Sequence, residues 1–511
     1  ARSPGPRRMS ALPDLIRDAA AAVPDKAAVL FRDRAISYRE LDEWVSRTAA
    51  VLHDLGVRKG DRVALLLGNI PEFIHAMHGA LRAGAVVAPL NVMLTPPELG
   101  FILADAEAKV AVVEISHLPA VLAVRDRLPA LEHILVVGPP PAPAGTRSLD
   151  ELLDRAGSAP SVELDRDDPA VIAYTSGTTA DPKGAMLTHG NLLANLEQVS
   201  EVPALKEAES DVILLVLPLF HIYALNATLD VALSERATMV LVERFDPAET
   251  LRVVERKRVT VLAGVPQMYQ AWLAAAEGGE FDLSSVRLAV SGAAPLPARI
   301  LDGFRERFGV TIWEGYGLTE TAPVVTTNAL GSVAKGDSIG MPLPGLEVRI
   351  LDEDGEEVVP GDPGEVVVRG PNVFSGYWRK PEESEAVFTD GWFRTGDIAY
   401  RDEDGYLFLV DRSKDLVIVS GFNVFPREVE EAIASHPKVA ECAVIGVPDE
   451  RTGEAVKAIV VPRAGAALTE DEVLEHCRDR LARFKLPRDV EFAERLPRHP
   501  TGKVLRRMFR G

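Results

Sequence analysis

Two hydrophobic periods alternate along the first two thirds of the chain, one helical and one typical of buried strands. Leu41, Val45, Thr48, Val51, Leu52 and Leu55 follow a helical spacing that opens behind Ser37-Tyr38-Arg39-Glu40 and stops at Gly56. Ser37 and Glu40 stand at the spacing of a capping box, in which each side chain satisfies a free backbone donor of the other residue. Val63–Leu67 then reads as a buried strand, Glu72–Leu81 as a helix and Ala85–Ala88 as another strand. Thr95-Pro96-Pro97-Glu98 opens the next helix with a second capping box and a proline in its first turn. Strands alternating with helices of this length predict right-handed crossovers and mainly parallel sheet.

The Pro-rich stretch 138–145 predicts a surface loop or a subdomain seam. The alternation resumes with strands expected at Val171–Tyr174, Val212–Leu217, Met239–Val242, Thr260–Leu262, Arg287–Val290 and Thr311–Trp313. From about Gly345 the pattern changes to short strands broken by Asp-Gly and Pro-Gly turns, which predicts a β-rich subdomain over 345–410. After Asp411 a compact unit is expected, with helices at Pro426–Ala434 and Thr469–Arg483 and strands at Ala443–Val447, Ala455–Val460 and Asp489–Phe492. The fold class is therefore α/β. Residues 9–410 form a large N-terminal domain of mainly parallel sheets flanked by helices, and 411–511 a small α+β C-terminal domain. Residues 1–8 read as a disordered leader ahead of Met9.

Charge and composition narrow the chemistry. With 56 Lys and Arg against 76 Asp and Glu the net charge is −20, which argues against general binding of nucleic acid or anionic membrane. The two cysteines, Cys442 and Cys477, exclude a disulfide scaffold and fit a reducing cytoplasm. No apolar run reaches the roughly 20 residues of a membrane-spanning helix. Against the acidic background, residues 478–510 carry eleven Lys and Arg and four Asp and Glu, a local excess suited to facing phosphates.

The residues with chemical potential fall in five stretches. Tyr174-Thr175-Ser176-Gly177-Thr178-Thr179-Ala180-Asp181-Pro182-Lys183-Gly184 follows a buried strand; small residues let backbone N–H groups curl around an anion, and Lys183 adds charge. It lacks the Gly-Lys-Ser/Thr of a Walker A loop. The stretch resembles the phosphate loop of the adenylate-forming superfamily: acyl- and aryl-CoA synthetases, luciferases and peptide-synthetase adenylation domains. Four further stretches resemble the family's motifs, in order: Glu314-Gly315-Tyr316-Gly317-Leu318-Thr319-Glu320, Arg394-Thr395-Gly396-Asp397, Asp411-Arg412-Ser413-Lys414-Asp415 with the Gly421 loop behind it, and Leu496–Lys503.

The resemblance implies a set of roles. Thr175, Ser176, Gly177, Thr178, Thr179 and Lys183 would cradle phosphates, while Gly292, Ala293, Ala294, Glu314, Gly315, Tyr316 and Gly317 would frame the nucleotide. Glu320 would bind Mg2+ and Thr319 a phosphate. Asp397 and Arg412 would hold the ribose, since an ionised carboxylate accepts two hydrogen bonds. Lys503 would stabilise charge between the acid and the α-phosphate. Lys414 would be the hinge about which a mobile C-terminal domain swings, bringing Gly421 to the pantetheine tunnel. Cofactors would be ATP, Mg2+ and coenzyme A. Departures are Ala180 and Asp181 in the phosphate loop and Ser420 before the hinge-loop glycine.

The acid pocket is expected from Phe220–Asn226, Val265–Met268, Gly292–Ala294 and Tyr316–Val325, with His221 as a gate beside the acyl carbon. Apart from His221, and Glu320 which the resemblance assigns to the metal, these stretches offer almost no charge: no carboxylate is left for an ammonium and no arginine for a second carboxylate, so an apolar acid fits best. Pro218–Tyr223 resembles fatty acyl-CoA synthetases, which implies a medium- or long-chain fatty acid. An aryl acid, a stand-alone adenylating enzyme loading a carrier protein, and a homodimer all stay open.

Overall fold

The computed structural model describes residues 9–175, 182–331, 333–412, 417–419, 422–449, 452–478, 480–498 and 504–509. The chain packs as two compact units. The first comprises Ala1–Gly336, Gly340–Glu347 and Arg369–Phe393; the second comprises Asp337–Ile339, Val348–Val368 and Arg394–Gly511.

Two largely parallel sheets build the first unit. One runs in the order Arg147–Ser148, His133–Val137, Ala108–Glu114, Arg62–Leu66, Val86–Pro89, Pro169–Thr175, Lys183–Thr188. Its neighbours are parallel except the last two, which form an antiparallel hairpin at the edge. The other sheet has nine strands, with parallel pairing from Ala27–Phe31 through Thr238–Leu241, Val212–Leu215, Val261–Gly264 and Leu288–Ser291 to Ile312–Gly317. Beyond Ile312–Gly317 the pairing turns antiparallel, to Val324–Thr327 and then Met341–Pro342. In each sheet, then, the motif stretch sits where parallel strands give way to an antiparallel edge.

The helices start where the sequence signals. Ser37 Oγ accepts from the Glu40 amide at 3.2 Å, while the Ser37 amide donates to Glu40 Oε2 at 2.8 Å, opening the helix Tyr38–Asp54. Gly56, at φ +85°, lies just past that helix in the left-handed region that a Cβ disfavours. The Thr95 box likewise opens Pro96–Asp105. The helix Pro71–Arg82 is buried along its whole length, because it lies under Tyr38–Asp54: a methyl on Gly79 would press on Thr48.

In the second unit, Gly364–Arg369, Trp392–Arg401 and Leu407–Arg412 belong to one sheet, as the turn-broken pattern predicts. The C-terminal sheet runs Phe422–Val424, Val417–Val419, Gly453–Pro462, Val439–Asp449, with Asp489–Phe492 parallel to Gly453–Pro462. The helix Pro426–Ala434 matches its expected span. The helix expected over Thr469–Arg483 ends early, at Arg478. The amides of Arg480 and Leu481 both turn back to the Cys477 carbonyl, at 3.0 and 2.9 Å, and close it. Val473, Cys477, Leu481 and Phe484 nonetheless pack on one core, so the apolar spacing outlasts the helix that it imitates.

Neutral imidazoles are built into the first unit. His75 Nδ1 lies 2.9 Å from Thr48 Oγ1, and His189 Nδ1 accepts from the Leu12 amide at 3.3 Å. Burial lowers the pKa of His75 to about 3 and that of His189 to about 4. Both fall below the unfolded value, so their stability contribution is complete above about pH 6.5 and is lost as the pH drops toward 4. At about 1.4 kcal/mol per pKa unit, the two rings make several kcal/mol of stability pH-dependent. Urea midpoints measured at pH 7 and pH 4.5 should fall less in His75→Gln and in His189→Gln than in the wild type. Equal falls in all three would refute the assignment.

Candidate functional site

The phosphate-loop stretch leaves the strand Pro169–Thr175 and returns as Lys183–Thr188, with Thr175 opposite Lys183. Ser176, Gly177, Thr178 and Thr179 lie outside the described residues; their two anchors do not. Tyr174 donates its hydroxyl to Asp105 Oδ2 at 2.6 Å. On the other side, residues 376–378 add themselves to the returning strand: the Met186 amide donates to the Gly376 carbonyl at 3.0 Å, and the Trp378 amide to the Gly184 carbonyl at 2.7 Å. Trp378 Nε1 also reaches the Asp105 carbonyl at 3.0 Å, so one acidic residue fixes both flanks. Glycine is required at 184, since a Cβ there would meet the Ile172 side chain.

This strap delivers Tyr377, which the sequence reading missed. Its hydroxyl donates to Glu320 Oε1 at 2.9 Å, and Lys183 Nζ stands 5.3 Å from its ring centroid. Burial, and after it the neighbouring Glu320 carboxylate, push the phenol far above its usual pKa, so it remains a neutral donor. One aromatic side chain thus touches both the phosphate-loop cation and the expected metal-binding carboxylate. The only prior signal was its place in Ser375-Gly376-Tyr377-Trp378, whose partners are distant in sequence.

Thr319 and Glu320 sit on a single 3-10 turn, Thr319–Thr321, between Ile312–Gly317 and Val324–Thr327. A Cβ at Gly317 would collide with the Pro323 carbonyl oxygen, so the turn closes only on glycine. Ala322, at φ +64°, reverses the chain. Five successive carbonyls here have donors. Glu320 O accepts from the Phe374 amide at 2.8 Å, and Thr321 O from Asn372 Nδ2 at 2.6 Å. Ala322 O accepts from Asn226 Nδ2 at 2.6 Å, Pro323 O from Thr321 Oγ1 at 2.6 Å, and Val324 O from Asn195 Nδ2 at 2.8 Å. Gln198 joins this set by accepting from Asn195 at 3.2 Å. All four carboxamides are buried, and none was expected to support the turn.

Beside the turn, Gly292-Ala293-Ala294 leaves the carboxyl end of Leu288–Ser291, the end of a parallel strand where open α/β sheets bind ligands. Ala293 holds φ +68°, an uncommon conformation for a residue with a Cβ and one that clusters at functional sites. Glu314 Oε1 accepts from the Leu296 amide at 3.1 Å, so this carboxylate ties the loop down. Gly315 and Tyr316 pair with Thr327 and Thr326, which fixes the strand behind it.

In the acid-pocket stretches, His221 caps the short helix Ile222–Ala224 and accepts from the Tyr223 amide through Nδ1 at 3.3 Å, which leaves the hydrogen on Nε2. Tyr223 places its hydroxyl 3.3 Å from the Val290 carbonyl and 3.4 Å from that of Gly264, with its ring against Gly292. Ile222, Ala224, Leu225, Val265 and Met268 are buried around it. Asn226, expected to line this pocket, is instead fully buried and committed to the Leu192 and Ala322 carbonyls, so its amide is a strut.

The remaining expected residues belong to the second unit. Thr395 Oγ1 donates to the Val366 carbonyl at 2.7 Å and accepts from the Asp397 amide at 3.1 Å. Asp397 and Arg412 are direct cross-strand partners, so the two expected ribose contacts share one rung of the ladder. Lys414, Gly421 and Lys503 lie outside the described residues. Of the described residues nearby, Arg498 bridges Val504 antiparallel, and the Leu505 amide donates to the Pro497 carbonyl at 2.8 Å.

The donor set suits Mg2+ carried in on a nucleotide. Among the described residues no group of three His, Cys, Asp or Glu could by itself hold a metal. One or two carboxylates plus phosphate oxygens and waters is the usual magnesium arrangement, and Glu320, beside Thr319 on one turn, is the carboxylate that could contribute to it.

Comparison with known proteins agrees with this geometry. Residues 16–378 match the family model "AMP-binding enzyme", and residues 428–503 match "AMP-binding enzyme C-terminal domain". The chain is 43% identical over 484 residues to feruloyl-CoA synthase of Amycolatopsis sp, covering 94% of this chain and 95% of that protein. It is 36% identical over 527 residues to long-chain-fatty-acid–CoA ligase of Bacillus subtilis (strain 168), covering 97% and 93%. Among solved structures, ATP-bound MatB from Rhodopseudomonas palustris superposes with a TM-score of 0.89 at 36% identity, covering 98% of each chain. The anthranilate CoA ligase AuaEII in complex with anthranoyl-AMP gives 0.90 at 31% identity, covering 98% of this chain and 96% of that one. With both family models matched in order and relatives aligned over nearly their full length, the chain belongs to the AMP-binding enzymes of the adenylate-forming superfamily: it is an AMP-forming acyl-CoA synthetase that uses ATP, Mg2+ and coenzyme A.

Proposed function

We propose that the enzyme activates a medium- or long-chain fatty acid. The acid's carboxylate attacks the α-phosphorus of ATP and pyrophosphate leaves; the thiol of CoA, losing its proton, then attacks the acyl carbon and AMP leaves. What supports this reading is the character of the pocket stretches: Ile222, Leu225, Val265 and Met268 are apolar and buried, and the Tyr223 hydroxyl already faces two backbone carbonyls. An ammonium or a second carboxylate would enter that lining without a partner, at a cost of several kcal/mol.

A planar aryl acid is the second reading. The Tyr223 ring lies close to Gly292 and offers an aromatic surface on which a ring could pack, and the 43% identity to feruloyl-CoA synthase favours the same class. In either case Lys183 and Thr319 meet the phosphates, Glu320 holds Mg2+, which neutralises charge on the nucleotide, and His221 lines the entrance to the acyl carbon. Asp397 and Arg412 take the ribose. Lys503 serves the first step, then withdraws as the C-terminal part swings about Lys414 and Gly421 approaches the pantetheine. The enzyme works in the cytoplasm, where its substrates are made. CoA rather than a carrier protein is the acceptor, and homodimerisation is not required by this scheme.

Pyrophosphate release screened over straight-chain and aryl acids, with and without CoA, tests the proposal. Turnover of alkyl acids to thioesters is expected; turnover of aryl acids alone would replace the first reading with the second. Lys503→Ala should slow adenylation by about 10²–10³ yet leave thioester formation from supplied acyl-adenylate intact. Equal loss in both steps would remove Lys503 from the first.

Tyr377 separates into two functions by substitution. Tyr377→Phe keeps the ring beneath Lys183 and loses the bond to Glu320, so the Mg2+ half-saturation should rise about tenfold, as befits a hydrogen bond to a charged group. Tyr377→Leu should raise the KM for ATP by a further factor of about three, the worth of a modest cation–π contact. Two unchanged Mg2+ curves would show that Tyr377 is only a packing residue.

A further inference from the structure

The segment that lines the acid pocket and the turn that bears Glu320 are joined by one side chain. Residues Leu225–Asp230 form a π-helix, a form that appears mostly as a single wide turn and often at functional sites. It follows His221 and Tyr223 directly, so its position sets theirs. Asn226, its second residue, is fully buried and donates to the Ala322 carbonyl at 2.6 Å and to the Leu192 carbonyl at 3.1 Å. Ala322 is the left-handed residue that closes the Thr319–Thr321 turn. At the far end of the same π-helix, Asp230 Oδ1 lies 3.2 Å from His78 Nε2, with both side chains inaccessible to solvent. The pocket segment is thus pinned at one end to the helix Pro71–Arg82 and at the other to the turn of the nucleotide side.

We propose that Asn226 is a positioning residue that couples the acid pocket to the Thr319–Glu320 turn, so that an acid pressing on Tyr223 tightens the binding of the magnesium nucleotide. This rests on the reading of Glu320 as the metal-binding carboxylate. The physical basis is geometric. The Ala322 carbonyl has no water to turn to, and a buried unsatisfied carbonyl costs about 1–3 kcal/mol, so the turn follows Asn226 wherever the π-helix carries it. The other three carboxamides hold the turn from elements outside the pocket stretches: Asn195 and Gln198 from the helix His189–Ser200, and Asn372 from the chain before Tyr377. Asn226 alone of the four comes from the pocket segment, which makes it the route by which acid occupancy reaches Glu320.

Coupling of this kind is reciprocal and is read as a ratio of dissociation constants. The test is calorimetric binding of Mg2+ with α,β-methylene-ATP, whose α–β link cannot be cleaved so that no acid is adenylated, to the full chain with and without decanoate, and separately with and without ferulate. In the wild type one of these acids should tighten nucleotide binding about fivefold or more, the lower end of ordinary coupling. In Asn226→Leu, which keeps the branched four-heavy-atom side chain and removes both donors, the ratio should fall to about one. Leu229→Ala, a buried cavity variant of the same π-helix, should lower the melting temperature comparably and leave the ratio intact; this separates coupling from simple destabilisation. A ratio preserved in Asn226→Leu, or a ratio of one in the wild type with both acids, overturns the proposal. Glu320→Gln distinguishes the underlying reading: if nucleotide binding stays equally Mg2+-dependent in that variant, the assignment of Glu320 fails, and the coupling through its turn fails with it.

Discussion

A peptide carbonyl that leaves a sheet inside the protein must find a donor, and the architecture around Thr319 and Glu320 follows from that demand. The parallel ladder ends at Gly317, and the chain must reverse within a few residues before it can pair again at Val324. Water would satisfy those carbonyls on a surface. Here the reversal is buried, and amide side chains from three separate parts of the first unit take the place of water. Such a network specifies one geometry because each donor is lost if the turn shifts. The backbone that carries the Glu320 carboxylate is therefore held in one geometry by the protein's own amides.

The same logic explains the placement of the chemistry at the edges of both sheets. Parallel interiors are covered by helices and run mostly to Val, Leu and Ala, with polar residues such as Glu114, Ser291 and Glu314 toward the strand ends. The antiparallel pairs that end at Thr175 and Lys183 and at Gly317 and Val324 carry the polar groups instead, and the strap at Gly376–Trp378 is bound to the first while its Tyr377 reaches the second. Edges that could otherwise recruit foreign strands are thereby used up.

Much of this was legible in the chain itself. The capping boxes at Ser37 and Thr95, the parallel strands and the order of the motifs follow from local pattern, because a cap or a strand is decided by residues within a few positions of one another. What was not legible was distant pairing. Asn372 lies 51 residues from Thr321, and Asn195 lies 129 from Val324; no period in the sequence marks an amide as a strut. Asn226 shows the limit most clearly, since its place in a pocket stretch suggested a lining residue while its bonds make it a brace. The shortened C-terminal helix teaches the complementary lesson. Leu481 and Phe484 keep the helical spacing because they seek the same core, and a turn delivers them there as well as a helix would.

The antiparallel bridge between Arg498 and Val504 has a practical corollary. The stretch bearing Lys503 is bounded by two anchored residues, and Arg506 is further secured by its ion pair with Glu430 at 2.8 Å. The backbone at 498 and 504 is thereby held by contacts that all precede Phe509. Affinity tags or fusion partners appended after Phe509 would leave that bridge in place, whereas an insertion between 498 and 504 would separate its two halves in sequence.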